Sequence, residues 1–354
     1  MNEYRNGFAA SSEQRNEESE MNVIKKTFFA TALLIGSWYM AASGEEEWQL
    51  VYEDDFEREE VGPAWIGVGG HSDTGVQLSI EDGELVGDGM KGQIQFAYPV
   101  RGDQKVVFRG RWIPGTGRSA TQFGGNLKAS TFLGTATGIT IVNGRQGNTR
   151  NAVELFGYSG RLAVNDGPLP EAGKEYTFET AVEGTHTYMK RDGELLIEAE
   201  LPFTLEGPPF DRITLYANQK RIRFDWVKIY RKGRDATPVP SEYRLPFKLN
   251  ENGEKAFAGP DPEGRIAAVW NMHRTGKTGD AIALAEQIAE PQQKLSALMM
   301  LATDPMLGPY RNLCNSIAEH MKAHPELEPA QKDGALSLAK VAEYMAKASH
   351  TSGS

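Results

Sequence analysis

The chain reads as mainly β, an antiparallel two-sheet jelly-roll sandwich followed by a C-terminal α-helical bundle or short α-solenoid. Three observations predict this. From Trp48 to about Lys232, short runs alternate apolar and polar residues between Gly-rich turn signals, with no helical period among them. A Pro-rich stretch without periodicity follows. After Asp261 apolar residues recur at i, i+3, i+4 and i+7. At 354 residues the chain has room for two such parts, because single cores seldom grow beyond about 250 residues.

Residues 1–20 are polar and are expected to be a disordered upstream extension. Residues 21–44 read as a signal peptide: a short basic start through Lys26, the apolar run "TFFATALLIGSWYM", then the small residues "AASG" at a cleavage position. The apolar run is shorter than the ~20 residues that span a bilayer. On this reading Met21 is the start, the protein is secreted or periplasmic, and membrane contact is confined to this signal. An uncleaved N-terminal anchor is the alternative.

Residues 45–232 form the predicted sandwich. The strand-like runs are "KVVFRGRW", "GITIVNG", "NAVELFGY", "EYTFETAV", "HTYMKRDGELLIEAEL", "DRITLYANQ" and "RIRFDWVKIY". Asp192-Gly193 and Asp82-Gly83 mark hairpins, since tight two-residue turns need positive φ. Residues 233–260, which include Pro238, Pro240 and Pro246, read as a linker or a strap laid over the sandwich. Residues 261–348 carry the helical stripes: Ile266, Val269, Trp270 and His273; Ala281, Leu284, Ala285 and Ile288; Leu295, Leu298, Met299 and Ala302; Leu338, Val341, Ala342 and Met345. Helix starts repeat an acidic residue followed by Pro, at Asp261-Pro262, Glu290-Pro291, Asp304-Pro305 and Glu328-Pro329; the acid complements the helix N-terminus and Pro fits its first turn. Residues 349–354 are expected to be a disordered tail.

Composition narrows the function. A net charge of −10 argues against nucleic acid as the main partner, because phosphate recognition needs a basic face. The single cysteine, Cys314, permits no internal disulfide and no thiolate metal cluster. "MHRTGKTGD" contains Gly-Lys-Thr, but Asn271 stands where a P-loop needs its first Gly. His320 and His324 have i, i+4 metal spacing without an evident third ligand, so they read as surface histidines.

The β-region resembles the concanavalin A-like lectin/glucanase superfamily, within it the laminin-G-like and 3-keto-disaccharide hydrolase-type domains of secreted bacterial proteins. The residues that carry the resemblance are "EDDFEREEVGPAWI", "LSIEDGELVG", "GDQKVVFRGRW", "EYTFETAVEGTHTYMKRDGELL" and "FDWVKIYR". It covers about half of the chain and implies a two-sheet jelly roll with the first and last strands side by side. It also implies that Asp55 and Asp225, the acids of the bracketing stretches, could share a structural Ca²⁺; pairing with nearby arginines or a turn role is the alternative. No other cofactor is required.

Hydrolytic members of that superfamily place their carboxylates on one strand as Glu-x-Asp-x-x-Glu. Here "NAVELFGY" offers only Glu154, so the paired carboxylates of glycoside cleavage are missing from this strand. By alternation Glu154, Phe156 and Tyr158 share a face, a carboxylate beside rings that suits a sugar; a core position for the two rings is the alternative. Arg109 and Arg111 share a face and could clamp an acidic glycan, or lie on a solvated convex face. Thr214, Tyr216 and Asn218 set polar and aromatic groups together. These residues point to an exported carbohydrate-binding or scaffold protein with a glycan or oligosaccharide as partner. A glycan-cleaving enzyme with Glu154 as the candidate catalytic residue, or a protein-interaction module docking through the helices, are the alternatives.

Overall fold

A computed structural model describes residues 47–354 apart from 70–75, 89–91, 114–122, 131–137, 145–149, 156–159, 208–209, 217–220, 233–246, 250–254, 258–263, 303–309, 328 and 352–354. The expected extension and signal, the helix starts at Asp261-Pro262 and Asp304-Pro305, and most of the expected strap lie outside the described residues.

Two antiparallel sheets form a sandwich. Sheet A contains β13 (Glu194–Glu200), β12 (His186–Arg191), β11 (Tyr176–Glu183), β6 (Asp103–Trp112), β15 (Ile222–Lys232), β4 (Glu84–Asp88) and β3 (Gln77–Glu81) in that spatial order. β1 (Gln49–Asp54) also pairs with β15, from Gln49 opposite Arg231 to Asp54 opposite Val227. The opening and closing strands are therefore neighbours, as the resemblance implies. β15 leaves β4 after Phe224 and takes up β1 from Val227 onward, with a register shift between Phe224 and Trp226 on its β6 side.

Sheet B runs β10 (Gly160–Asn165), β9 (Arg150–Leu155), β8 (Ile139–Gly144), β7 (Phe123–Ser130), β14 (Phe210–Tyr216), β5 (Gly92–Phe96) and β2 (Trp65–Gly69). The hairpin turns form where Asp-Gly predicts them: Asp82 and Gly83 have φ of 55° and 74°, Asp192 and Gly193 of 53° and 86°. The Asp192 carboxylate also accepts the Thr177 N–H at 2.8 Å, which ties the turn to β11.

Alternation directs the packing. Phe108, Phe178 and Phe224 of sheet A meet Ile94, Phe123, Ile141, Val153 and Leu215 of sheet B in one apolar core. Phe178 stacks on Phe108 at 5.3 Å and on Phe123 at 5.0 Å, so one ring bridges the two layers. A ladder of asparagines closes one end. Asn143 donates to Asn151, Asn151 to Asn165 at 2.9 Å, and Asn165 to the Leu196 carbonyl of sheet A at 2.7 Å.

Within the expected linker stands a small hairpin, β16 (Phe247–Leu249) with β17 (Lys255–Phe257). Five helices follow among the described residues: α1 (Arg265–Arg274), α2 (Thr278–Glu286), α3 (Pro291–Ala302), α4 (Tyr310–Ala323) and α5 (Pro329–Thr351). Of their stripes, Val269, Ala281, Ala285, Leu295, Leu298 and Leu338 are fully enclosed, while His273 and Leu284 are half-buried. Glu290 caps α3, accepting the N–H groups of Gln292 at 3.1 Å and Gln293 at 2.6 Å. Helix α5 meets the segment before β14: the Ser337 hydroxyl accepts the Glu206 N–H at 2.9 Å, and Tyr344 packs edge-on against Phe203.

Candidate functional site

The face of sheet B that points away from the core carries a run of polar residues, beside the apolar Val142 and Ala152. Ile94 and Phe96 enter the core, so Gln95 faces out; the same logic turns out Thr214, Asn126, Thr140 and Glu154. Pairing aligns them into one row. Gln95 stands opposite Thr214, Thr214 opposite Asn126, Asn126 opposite Thr140, Thr140 opposite Glu154, and Glu154 opposite Arg161. Strands spaced about 4.8 Å apart make the stretch from Gln95 to Glu154 roughly 19 Å long.

The row is internally bonded. Thr140 donates its hydroxyl to Asn126 Oδ1 at 2.8 Å, Asn126 Nδ2 donates to Gln93 Oε1 at 3.2 Å, and the Asn126 N–H reaches Thr214 Oγ1 at 3.3 Å. At one end the Glu154 carboxylate lies 4.0 Å from the Arg161 guanidinium. At the other, Gln95 Nε2 is buried without a hydrogen-bond partner among the described residues. Thr140, Asn126, Thr214 and Glu154 are 0% exposed and Gln95 is 2% exposed. Tyr216, opposite Gln93 on the next step of the same face, is 6% exposed.

This geometry brings Glu154 and Tyr216, expected on two separate strands, onto one face of sheet B. That face is shielded from solvent at these positions. Phe156, Tyr158 and Asn218 lie outside the described residues. Sequence reasoning missed Gln95, Asn126 and Thr140, because strand register rather than proximity along the chain brings them beside Glu154.

Arg109 and Arg111 lie nearer the second of their two readings, a solvated face, than an anion clamp. They stand on β6 in sheet A, so they share no face with Glu154, and their guanidinium groups are taken by the chain's own acids. Arg109 pairs with Glu175 and approaches Asp225 at 3.6 Å; Arg111 reaches Glu84 at 2.7 Å and Glu175 at 3.4 Å. Arg223 shares Glu84 at 2.8 Å and takes Glu81 at 3.0 Å, so this part of the face is a self-neutralised network rather than an anion clamp.

Asp55 and Asp225 have the partners their alternative reading named, a turn and an arginine. Asp225 faces Arg109, while Asp55 accepts the Glu57 N–H in an exposed turn. Among the described residues no three His, Cys, Asp or Glu groups gather around a point that could hold a metal. The acid with a demanding environment is the neighbouring Asp54, 5% exposed, which accepts from Arg58 Nη2 and Tyr52 Oη at 2.8 Å, Trp65 Nε1 at 2.9 Å and the Phe56 N–H at 3.0 Å. Burial pushes its pKa up, but the donors Arg58, Trp65 and Tyr52 outweigh that and hold the carboxyl below the usual range. His320 is also internal, with Nε2 at 2.8 Å from the Pro291 carbonyl, while His324 faces Glu326.

No family model matches the chain, nor does any curated protein. Among solved structures it is similar to the catalytic domain of an endo-1,3-beta-glucanase (laminarinase) from Thermotoga petrophila, with 15% identity over 53% of this chain and 100% of that one, at a TM-score of 0.39. A protein of unknown function with a galectin-like fold from Bacillus subtilis matches at 13% identity over 53% of this chain and all of its own, TM-score 0.40. The Emp47p carbohydrate recognition domain matches at 12% identity over 54% of this chain and 100% of its own, TM-score 0.39.

Proposed function

We propose that this chain is an exported, non-catalytic carbohydrate-binding protein whose ligand face is the outer surface of sheet B. The observation that carries the reading is the in-register row Gln95–Thr214–Asn126–Thr140–Glu154. A buried sheet face is cheapest when apolar, because each enclosed polar group must be repaid in hydrogen bonds. A row of amides, hydroxyls and one carboxylate, with a donor left unused on Gln95, suits a ligand rich in hydroxyl groups that donate and accept along its length. The row is shielded from solvent, so entry requires local opening of the face, and association should fall below the usual ~10⁵ M⁻¹s⁻¹.

Catalysis is less well supported. Glycoside cleavage uses two carboxylates about 5–10 Å apart. Glu154 is the only carboxylate in the row, and its strand neighbours there are Thr140 and Arg161. Affinity electrophoresis through a panel of embedded polysaccharides tests the proposal. The folded chain should be retarded by at least one gel, and Asn126→Leu should run freely in it. Unretarded migration of the folded wild type in every gel contradicts binding; release of reducing ends that stops in Glu154→Gln favours an enzyme of the 3-keto-disaccharide hydrolase type or another glycan-cleaving class.

A further inference from the structure

Helix α4 ends in a pair of imidazoles that the polar row of sheet B does not use. His320 and His324 stand one turn apart. The helical backbone still holds at the second of them, because the His324 N–H donates to the His320 carbonyl at 3.1 Å. The two rings therefore share one side of the helix, with centroids 4.6 Å apart and planes inclined at 49°. Two nitrogens bound to one tetrahedral ion at the usual imidazole distance stand roughly 3.3 Å apart, within reach of rings this close.

Each ring has one nitrogen committed and one left over. His320 Nε2 lies 2.8 Å from the carbonyl oxygen of Pro291, the first residue of α3, and His324 Nδ1 lies 2.8 Å from Glu326 Oε1. A carbonyl oxygen only accepts. So does the Glu326 carboxylate, which its own backbone N–H and His324 hold below the usual range. Both of these nitrogens therefore carry the hydrogen, and in the neutral rings His320 Nδ1 and His324 Nε2 keep bare lone pairs. Neither has a hydrogen-bond partner among the described residues, and neither is sealed from solvent. An acceptor behind each ring is the support that metal-bound imidazoles use: it fixes the tautomer, steadies the ring and raises the basicity of the opposite nitrogen.

We propose that His320 Nδ1 and His324 Nε2 form a two-histidine site for a divalent transition-metal ion of the Ni²⁺ or Zn²⁺ kind. Imidazole nitrogen suits these ions, whereas Ca²⁺ and Mg²⁺ take oxygen ligands. Among the described residues no third His, Cys, Asp or Glu joins the pair, so water fills the remaining positions and the ion exchanges freely. A cation at the last turn of α4 also meets the negative end of the helix dipole. Through the Pro291 carbonyl, the ion would brace the end of α4 against the start of α3.

Titration calorimetry of the tag-free full chain at neutral pH with NiCl₂, and with CaCl₂ as an oxygen-seeking ion, tests the site. Ni²⁺ should bind saturably and Ca²⁺ should not compete with it. His324→Gln, a change at a partly exposed position, should abolish the saturable heat. Glu326→Gln keeps both ligands and should weaken Ni²⁺ about tenfold, through the ring that Glu326 steadies. His186→Gln, at a histidine of β12 in sheet A, should bind Ni²⁺ as wild type does. Wild-type chain without saturable Ni²⁺ heat overturns the proposal, as does a folded His324→Gln or Glu326→Gln chain that binds like wild type, or displacement of Ni²⁺ by Ca²⁺. Polysaccharide retention of these variants should be unchanged, so failure here and failure of the glycan reading are separate results.

Discussion

Single side chains decide how much of this sandwich depends on pH. Asp54 accepts four donors in a nearly enclosed position, and its folded pKa lies below its unfolded value. Its contribution is therefore complete above the unfolded carboxyl pKa, near 3.9, and is lost as pH falls through the folded value. Asp54→Asn should cost about 3 kcal/mol at neutral pH, the scale of breaking a buried ion pair. The gap between variant and wild type in urea melts should close as the pH drops below about 4. Lys128 behaves in the opposite sense. Burial lowers its ammonium to about 8 from the ordinary 10.5, so the unfolded chain binds the extra proton between those values. Stability should then rise with pH across that window, by about 3 kcal/mol in all. Lys128→Met should remove that rise in melts recorded from pH 7.5 to 10.5, and an unchanged slope would place the lysine in water. None of this was legible beforehand: Asp54 and Asp55 are equivalent in the sequence, and only the position of Trp65 and Arg58 separates them.

Elements were legible where alternation, Asp-Gly turns or helical stripes were strong, as in β6, β11, the β12–β13 hairpin and helix α3. Strand β7 was not, because its sequence, "FGGNLKAS", lacks that alternation. Its glycines answer to crowding: a Cβ on Gly124 would stand 2.0 Å from the Ile141 carbonyl oxygen, and one on Gly125 would stand 1.9 Å from that of Thr214. Gly125→Ala should therefore push β7 from β14 and cost about 3 kcal/mol by chemical denaturation, the upper range for overpacking. The hairpin β16–β17 was not legible, because its two strands are three residues each and stand in a stretch read as a Pro-rich linker. At α3, Glu290→Ala should cost about 1 kcal/mol through its lost cap bonds, read as a drop of a few degrees in melting temperature.

At the scale of the whole molecule, the sandwich separates its two outer faces. Much of sheet A's outer face spends its charges on one another, which leaves Arg109 and Arg111 without an anion to seek. Sheet B aligns neutral polar groups and one carboxylate in a row across five strands. Glu154 could be chosen from one strand of sequence, while its working neighbours Thr140, Asn126 and Gln95 come from 14 to 59 residues away and are joined only by register. The measurement that bears most directly on this row is a titration of the wild-type chain and Glu154→Gln with the polysaccharide that retains the protein, with reducing ends assayed in the same samples. The account predicts saturable binding by wild type, affinity reduced at least about tenfold in Glu154→Gln by loss of a charged acceptor, and no new reducing ends from either. Equal affinity in the two chains, or reducing ends that appear only with wild type, would contradict it.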